Sequence, residues 1–162
     1  MAALAFTSRS AEDTRDLGRA LAMALQPDDV VTLTGDLGAG KTRLTQGVAT
    51  GLGVAEAVTS PTFNILLEHR GSLTLYHFDL YRLERADQLE DIAFWETLEA
   101  GGVSMIEWGE RFPEALPDDH LAVVITIEPD GSRRLVPEAR GERAAQLLAR
   151  WESAAGRMGV GS

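Results

Sequence analysis

The sequence predicts an α/β domain of three layers, with helices packed on the faces of a mixed sheet. Three observations predict it. The apolar run "VVTLTG", residues 30 to 35, leads into the Gly-rich turn "GDLGAGKT" and then into "KTRLTQGVATGL", a strand–loop–helix pattern. Two strand-like runs, "FNILLEHR" and "SLTLYHFD", flank Gly71 and predict a β-hairpin. A second such pair, "LAVVITIEP" and "RRLV", flanks the turn "DGS". Strands joined through helices pair in parallel and hairpins pair antiparallel, so the sheet is mixed.

The remaining elements follow in order. "LAFTS" reads as a short first strand. Ser10 then has the place of an N-cap, with Asp13 three residues on in a weak capping box. Leu17, Ala20, Leu21, Ala24 and Leu25 recur at helical spacing until "QPDD" stops them. After the first hairpin, "ADQLEDIAFWETLEA", residues 86 to 100, returns to helical spacing. "VSMIE", residues 103 to 107, is a short apolar strand after two glycines. "GERAAQLLARWESA" makes a last helix. Residues 1–155 are expected to form one domain, and "GRMGVGS", residues 156–162, to be a flexible tail.

Composition excludes several functions. A chain of 162 residues, 44% of them hydrophobic, suits one globular domain with a sizeable core. It has no cysteine, so disulfides, thiolate zinc sites and a cysteine nucleophile are out of reach. No apolar run reaches transmembrane length, and the start lacks a basic region ahead of an apolar stretch; a soluble cytoplasmic protein with no membrane partner is expected. The formal charge of −10 opposes independent binding to phosphate backbones. Arg133, Arg134, Arg140, Arg143 and Arg150 gather late in the chain, but Glu138 and Glu142 dilute them, and they read as a solvated face.

Lysine usage is sharper. Of the 15 basic residues, Lys41 alone is a lysine, and it sits in the Gly-rich turn. Arginine is a broad planar fork and lysine a compact charge on a thin stem, so this position reads as one that a guanidinium does not fit. Gly35, Gly40, Lys41 and Thr42 match the phosphate-loop pattern G-x-x-x-x-G-K-[ST]. Glycines let the backbone curl so that its N–H groups face phosphate oxygens, and the following helix presents its positive end to the same anion. Lys41 is expected on the β and γ phosphates and the Thr42 hydroxyl on Mg²⁺. The whole turn, Asp36, Leu37, Gly38, Ala39, Gly40, Lys41, Thr42 and Arg43, is expected to contact the nucleotide. The fold expected from this loop is that of the P-loop NTPases.

Such a loop needs an acidic partner at another strand end. Glu107 ends "VSMIE" and Asp79 ends "LTLYHF"; both are candidates for the metal and for catalysis. Glu107 has the place of the metal acid, and Asp79 that of a second ligand or a water-orienting group. "VTSPTFN", residues 58 to 64, joins the phosphate-loop unit to the hairpin; it reads equally as a γ-phosphate sensor or as a plain polar turn. Trp108 is either core packing or a contact plate beside Glu107. His69, His77 and His120 form no metal pattern and are given no catalytic role. A guanine-reading Asn-Lys-x-Asp motif is impossible, because the sole lysine is already in the loop; ATP is favoured. Two classes remain open on these residues: an ATPase that switches a partner, and a small-molecule kinase with Arg82 and Arg85 as phosphate clamps.

"GDLGAGKT", "TSPTF", "YHFDLYRL" and "IEWGER" stand in the order and approximate spacing seen in the TsaE (YjeE) family, and "EDTRDLG" resembles that family's opening helix. The resemblance covers roughly residues 10 to 135. It implies a Mg²⁺-dependent bacterial ATPase needed for threonylcarbamoyladenosine modification of tRNA beside the anticodon. It implies action with the transferase subunits TsaD and TsaB, downstream of the adenylate-forming TsaC, with hydrolysis resetting the transferase and tRNA met only indirectly. Carried over by motif, Lys41 and Thr42 are the phosphate and Mg²⁺ residues, Glu107 the metal-binding glutamate, Asp79 the required aspartate and Trp108 the tryptophan at the site. Thr14 aligns with a segment near the adenine, and Thr62 falls in the switch-like segment.

Overall fold

A computed structural model describes residues 4–36, 38–59 and 64–162. Its elements run β1 (Phe6–Ser8), α1 (Ala11–Ala24), β2 (Val30–Thr34), α2 (Lys41–Gly51), β3 (Leu66–His69), β4 (Leu75–Asp79), α3 (Gln88–Asp91), α4 (Phe94–Leu98), β5 (Val103–Glu107), β6 (His120–Ile127), β7 (Arg133–Arg140) and α5 (Glu142–Met158). The seven strands form one sheet in the order β1-β7-β6-β2-β5-β4-β3. β2 lies parallel to β5 and β6, and β4 parallel to β5, whereas β3/β4, β6/β7 and β1/β7 are antiparallel. The mixed sheet expected from the two hairpins is present.

Strand alternation sends side chains to two separate cores. Val31 and Leu33 of β2 and Met105 of β5 pack with Leu17 and Leu21 of α1, Leu44 and Val48 of α2, and Trp151 of α5. Val30, Phe78 and Ile106 face the other way, onto Leu89, Phe94, Leu98 and Phe112. The second outer layer is thin: α3, α4 and two 3₁₀ turns at Gly109–Arg111 and Pro113–Ala115.

Local sequence accounts for most element ends. Ser10 caps α1, its side chain accepting from the Asp13 N–H; Asp13 returns a bond, to the Arg9 N–H at 3.0 Å. Residues 86 to 100 depart from the single helix expected. They form α3 and α4, separated by Ala93 in the left-handed conformation (φ 52°). Leu89 and Phe94 are both fully buried in the second core. Five residues apart in an unbroken helix they would point about 140° from each other. The break lets both face Phe78, whose ring lies 5.1 Å from that of Phe94.

α5 continues to Met158, the Thr7 N–H donates to the Gly161 carbonyl at 3.1 Å, and Arg9 donates to the Ser162 carbonyl at 2.8 Å. The last residues lie against β1. Among the described residues, no helix is long and apolar enough to cross a membrane.

Candidate functional site

The site is built where β2 hands over to α2. Gly38 and Gly40 have φ of 82° and 121°, which a side chain resists. Gly35 is required for a different reason: a Cβ there would lie 2.7 Å from the Ile125 carbonyl oxygen. α2 then starts at Lys41 with Gly40 as its N-cap, with no side-chain cap and no acidic residue in its first turn. By contrast, α1 is capped by Ser10 and carries Glu12 and Asp13 in its first turn. The N-terminus of α2 is thus left with backbone donors and a positive dipole end that an outside anion can satisfy.

This end of α2 opens into a cleft of about 950 Å³. Asp36, Gly38, Ala39, Gly40, Lys41, Thr42, Arg43, Thr14, Asp79, Glu107 and Trp108 all line it. Leu37 and Thr62, the other two residues expected there, lie outside the described residues, as does most of the proposed sensor segment, residues 60–63.

Sheet register brings the two carboxylates together. Asp79 and Glu107 end neighbouring parallel strands and are paired Cα partners. Both are almost fully buried. The Tyr81 N–H donates to Asp79 Oδ1 at 3.0 Å. Glu107 Oε1 lies 3.9 Å from the Lys41 ammonium, and its Oε2 lies 2.6 Å from Nε2 of His77. Lys41 is itself 8% exposed, with its ammonium 4.8 Å from the centre of the Trp108 ring. A cation on an indole face beside a carboxylate is doubly stabilised. Trp108 packs in turn against Tyr81, centroids 5.0 Å apart and rings tilted by 51°, and has a left-handed φ of 64° at the strand's end. Trp108 is therefore a plate in the cleft wall as well as a packing residue.

Thr14 lines the cleft beside the loop, its methyl carbon 3.7 Å from where a Cβ on Gly40 would sit, and its Oγ1 is 2.6 Å from Ser8 Oγ. Ser8, Arg9, Tyr81 and Arg133 line the same cleft, although sequence reasoning did not single them out. Arg133 departs from the solvated face expected of the late arginines. Its Nε donates to the Ala39 carbonyl at 3.1 Å and one terminal nitrogen to the Gly38 carbonyl at 3.4 Å. It ties the β6–β7 hairpin to the phosphate-type loop. Arg143 and Arg150 are structural as well, reaching buried Asp29 at 2.8 and 3.9 Å. His77 was passed over because it forms no metal motif. The available signal was the strand period: residues 77 and 79 of one strand stand on the same face.

Comparisons with known proteins show the family and the fold. A family model described as "Threonylcarbamoyl adenosine biosynthesis protein TsaE" matches residues 8–135. The tRNA threonylcarbamoyladenosine biosynthesis protein TsaE of Treponema pallidum (strain Nichols) is 43% identical over 128 residues, covering 79% of this chain and 95% of that protein. The protein of the same name from Bacillus subtilis (strain 168) is 42% identical over 137 residues, covering 84% and 85%. A crystal structure of Bacillus subtilis YdiB superposes with a TM-score of 0.80 at 34% identity, covering 94% of this chain and 95% of that one. A P-loop-type α/β fold, a cleft at the start of α2 and these matches over most of the chain lead to one conclusion: the chain belongs to the TsaE family of threonylcarbamoyl adenosine biosynthesis proteins.

Proposed function

We propose that this chain is a Mg²⁺-dependent ATPase that supports threonylcarbamoyladenosine modification of tRNA by cycling a TsaD–TsaB transferase complex. The family's role supplies the pathway. One observation carries the chemistry: the uncapped N-terminus of α2, with Lys41, faces an in-register carboxylate pair across one cleft.

The residues present fit a triphosphate with its metal. The loop N–H groups and Lys41 supply donors to phosphate oxygens. Thr42 and Glu107 hold Mg²⁺, and Asp79, beside Glu107, takes a second metal position or orients water. These few side-chain oxygens fall short of the six that Mg²⁺ takes, as expected of an ion that shares the nucleotide's own oxygens. When bound, Mg²⁺ offsets phosphate charge and polarises the transferring group. Thr14 and the start of α1 line the same cleft beside the loop and suit the nucleoside. Leu37 and Thr62 are proposed contacts on sequence grounds.

The test is direct. ATP binding is measured by calorimetry for the wild type and Lys41→Ala; loss of a charged partner predicts binding weaker by about 10- to 100-fold. Unchanged affinity overturns the proposal. Hydrolysis is then measured alone, with TsaD and TsaB, and with small-molecule acceptors. Stimulation by the proteins supports the switch, and stoichiometric phosphorylation of an acceptor would instead make the chain a kinase.

A further inference from the structure

Glu107 is held from two sides, and the two partners differ in kind. Lys41, on Oε1, belongs to the loop that receives phosphate, and its ammonium is 3.9 Å away. His77, on Oε2 at 2.6 Å, belongs to the middle of strand β4, where it pairs in register with Met105 of β5. His77 is fully buried. Its Nδ1 is also buried and has no hydrogen-bond partner among the described residues. A carboxylate accepts hydrogen bonds, so Nε2 carries a ring hydrogen and donates it.

We propose that His77 is a positioning residue: its Nε2–H anchors Oε2 of Glu107 so that Oε1 stays turned into the cleft for the metal. The proposal rests on the ATPase reading above. Lys41 cannot do this job throughout, because a lysine drawn to phosphate leaves Oε1. The Glu107 side chain would then keep only its His77 contact. An outer partner of this type fixes a ligand's orientation, and its loss typically weakens metal binding 10- to 100-fold.

The experiment is a calorimetric titration of ATP across a Mg²⁺ series and in EDTA. It compares the wild type, His77→Leu, His77→Gln and Glu107→Gln. The Gln amide nitrogen lies roughly where Nε2 stood and keeps a donor there. Metal-free affinity is expected to stay near wild type in the two His77 variants; Glu107→Gln, which removes a carboxylate beside Lys41, is the control for the metal response alone. The Mg²⁺ concentration for half-maximal tight binding is expected to rise about tenfold or more in His77→Leu, as in Glu107→Gln, and to return close to wild type in His77→Gln. ¹⁵N spectra of the wild type are expected to show the His77 ring hydrogen on Nε2.

An unshifted Mg²⁺ requirement in His77→Leu, with Glu107→Gln shifted, would remove the role of His77 and leave the ATPase reading standing. An Nε2 without a hydrogen would also remove it. If His77→Leu fails to fold, a His77→Gln protein that melts like wild type but has lost the Mg²⁺ response overturns the proposal. A wild type whose ATP binding ignores Mg²⁺ would bring down the ATPase reading and this inference together.

Discussion

The crossing of α1 and α2 leaves no room for one methyl group, which gives a prediction with an opposite-signed control. A Cβ on Gly47 would lie 2.0 Å from the Arg15 carbonyl oxygen and 2.9 Å from its Cα. Carbon and oxygen touch at about 3.3 Å, so Gly47→Ala must push the helices apart by roughly 1.3 Å or distort one of them. The obstacle is backbone, which no rotamer change relieves. Overpacking of this kind costs about 1–3 kcal/mol, and the geometry argues for the upper end. Helix propensity offsets about 1 kcal/mol of that. The net loss is about 2 kcal/mol, or roughly 4–8 °C in melting temperature for a chain of this size. Gly156 in α5 is exposed, and a Cβ there meets nothing within 4 Å. Gly156→Ala is expected to raise the midpoint by up to about 4 °C. Both are read by thermal unfolding followed by circular dichroism. A Gly47→Ala protein melting at or above wild type would refute the reasoning. So would both variants shifting in the same direction.

Other outcomes follow from the same coordinates. Lys41→Arg puts a planar fork where a lysine lies against Trp108 and Glu107 at 8% exposure, and ATP affinity is expected to fall about tenfold by calorimetry. Arg133→Ala removes the donors to the Ala39 and Gly38 carbonyls; ATP affinity is expected to fall by about three- to tenfold, with little change in melting temperature. At saturating Mg²⁺, Asp79→Ala and Glu107→Ala are expected to keep nucleotide binding but to lower steady-state hydrolysis by at least about tenfold, and wild-type turnover in both would refute their roles. Trp151→Phe deletes the 2.9 Å bond from Nε1 to the Leu17 carbonyl and trims a fully buried ring; a loss of about 2 kcal/mol is expected from the urea midpoint.

Some of this molecule is local, and that part was legible in the chain. Gly35, Gly40, Lys41 and Thr42 act through a turn only eight residues long, so their spacing already describes the loop. Ser10 and Asp13 cap within four residues of the bonds they make. The strands of both hairpins follow from alternation and from the turns between them. Asp79 and Glu107 were visible as acids at strand ends, because a polar residue closing an apolar run stands out. The long helix expected over residues 86 to 100 failed for a tertiary reason, since Leu89 and Phe94 share one pocket that an unbroken helix cannot offer both.

The rest depends on strand order. Asp79 and Glu107 are neighbours because β4 pairs with β5 in one register, and a one-residue slip would turn either acid to the opposite face. His77 reaches Glu107 across 30 residues of chain, and Arg133 reaches Gly38 across 95. No local rule couples such positions, because their bonding exists only after the sheet has chosen its neighbours. The loop's own chemistry is written in consecutive residues, whereas the partners that hold its lysine, its acid and its carbonyls in place are assembled by packing.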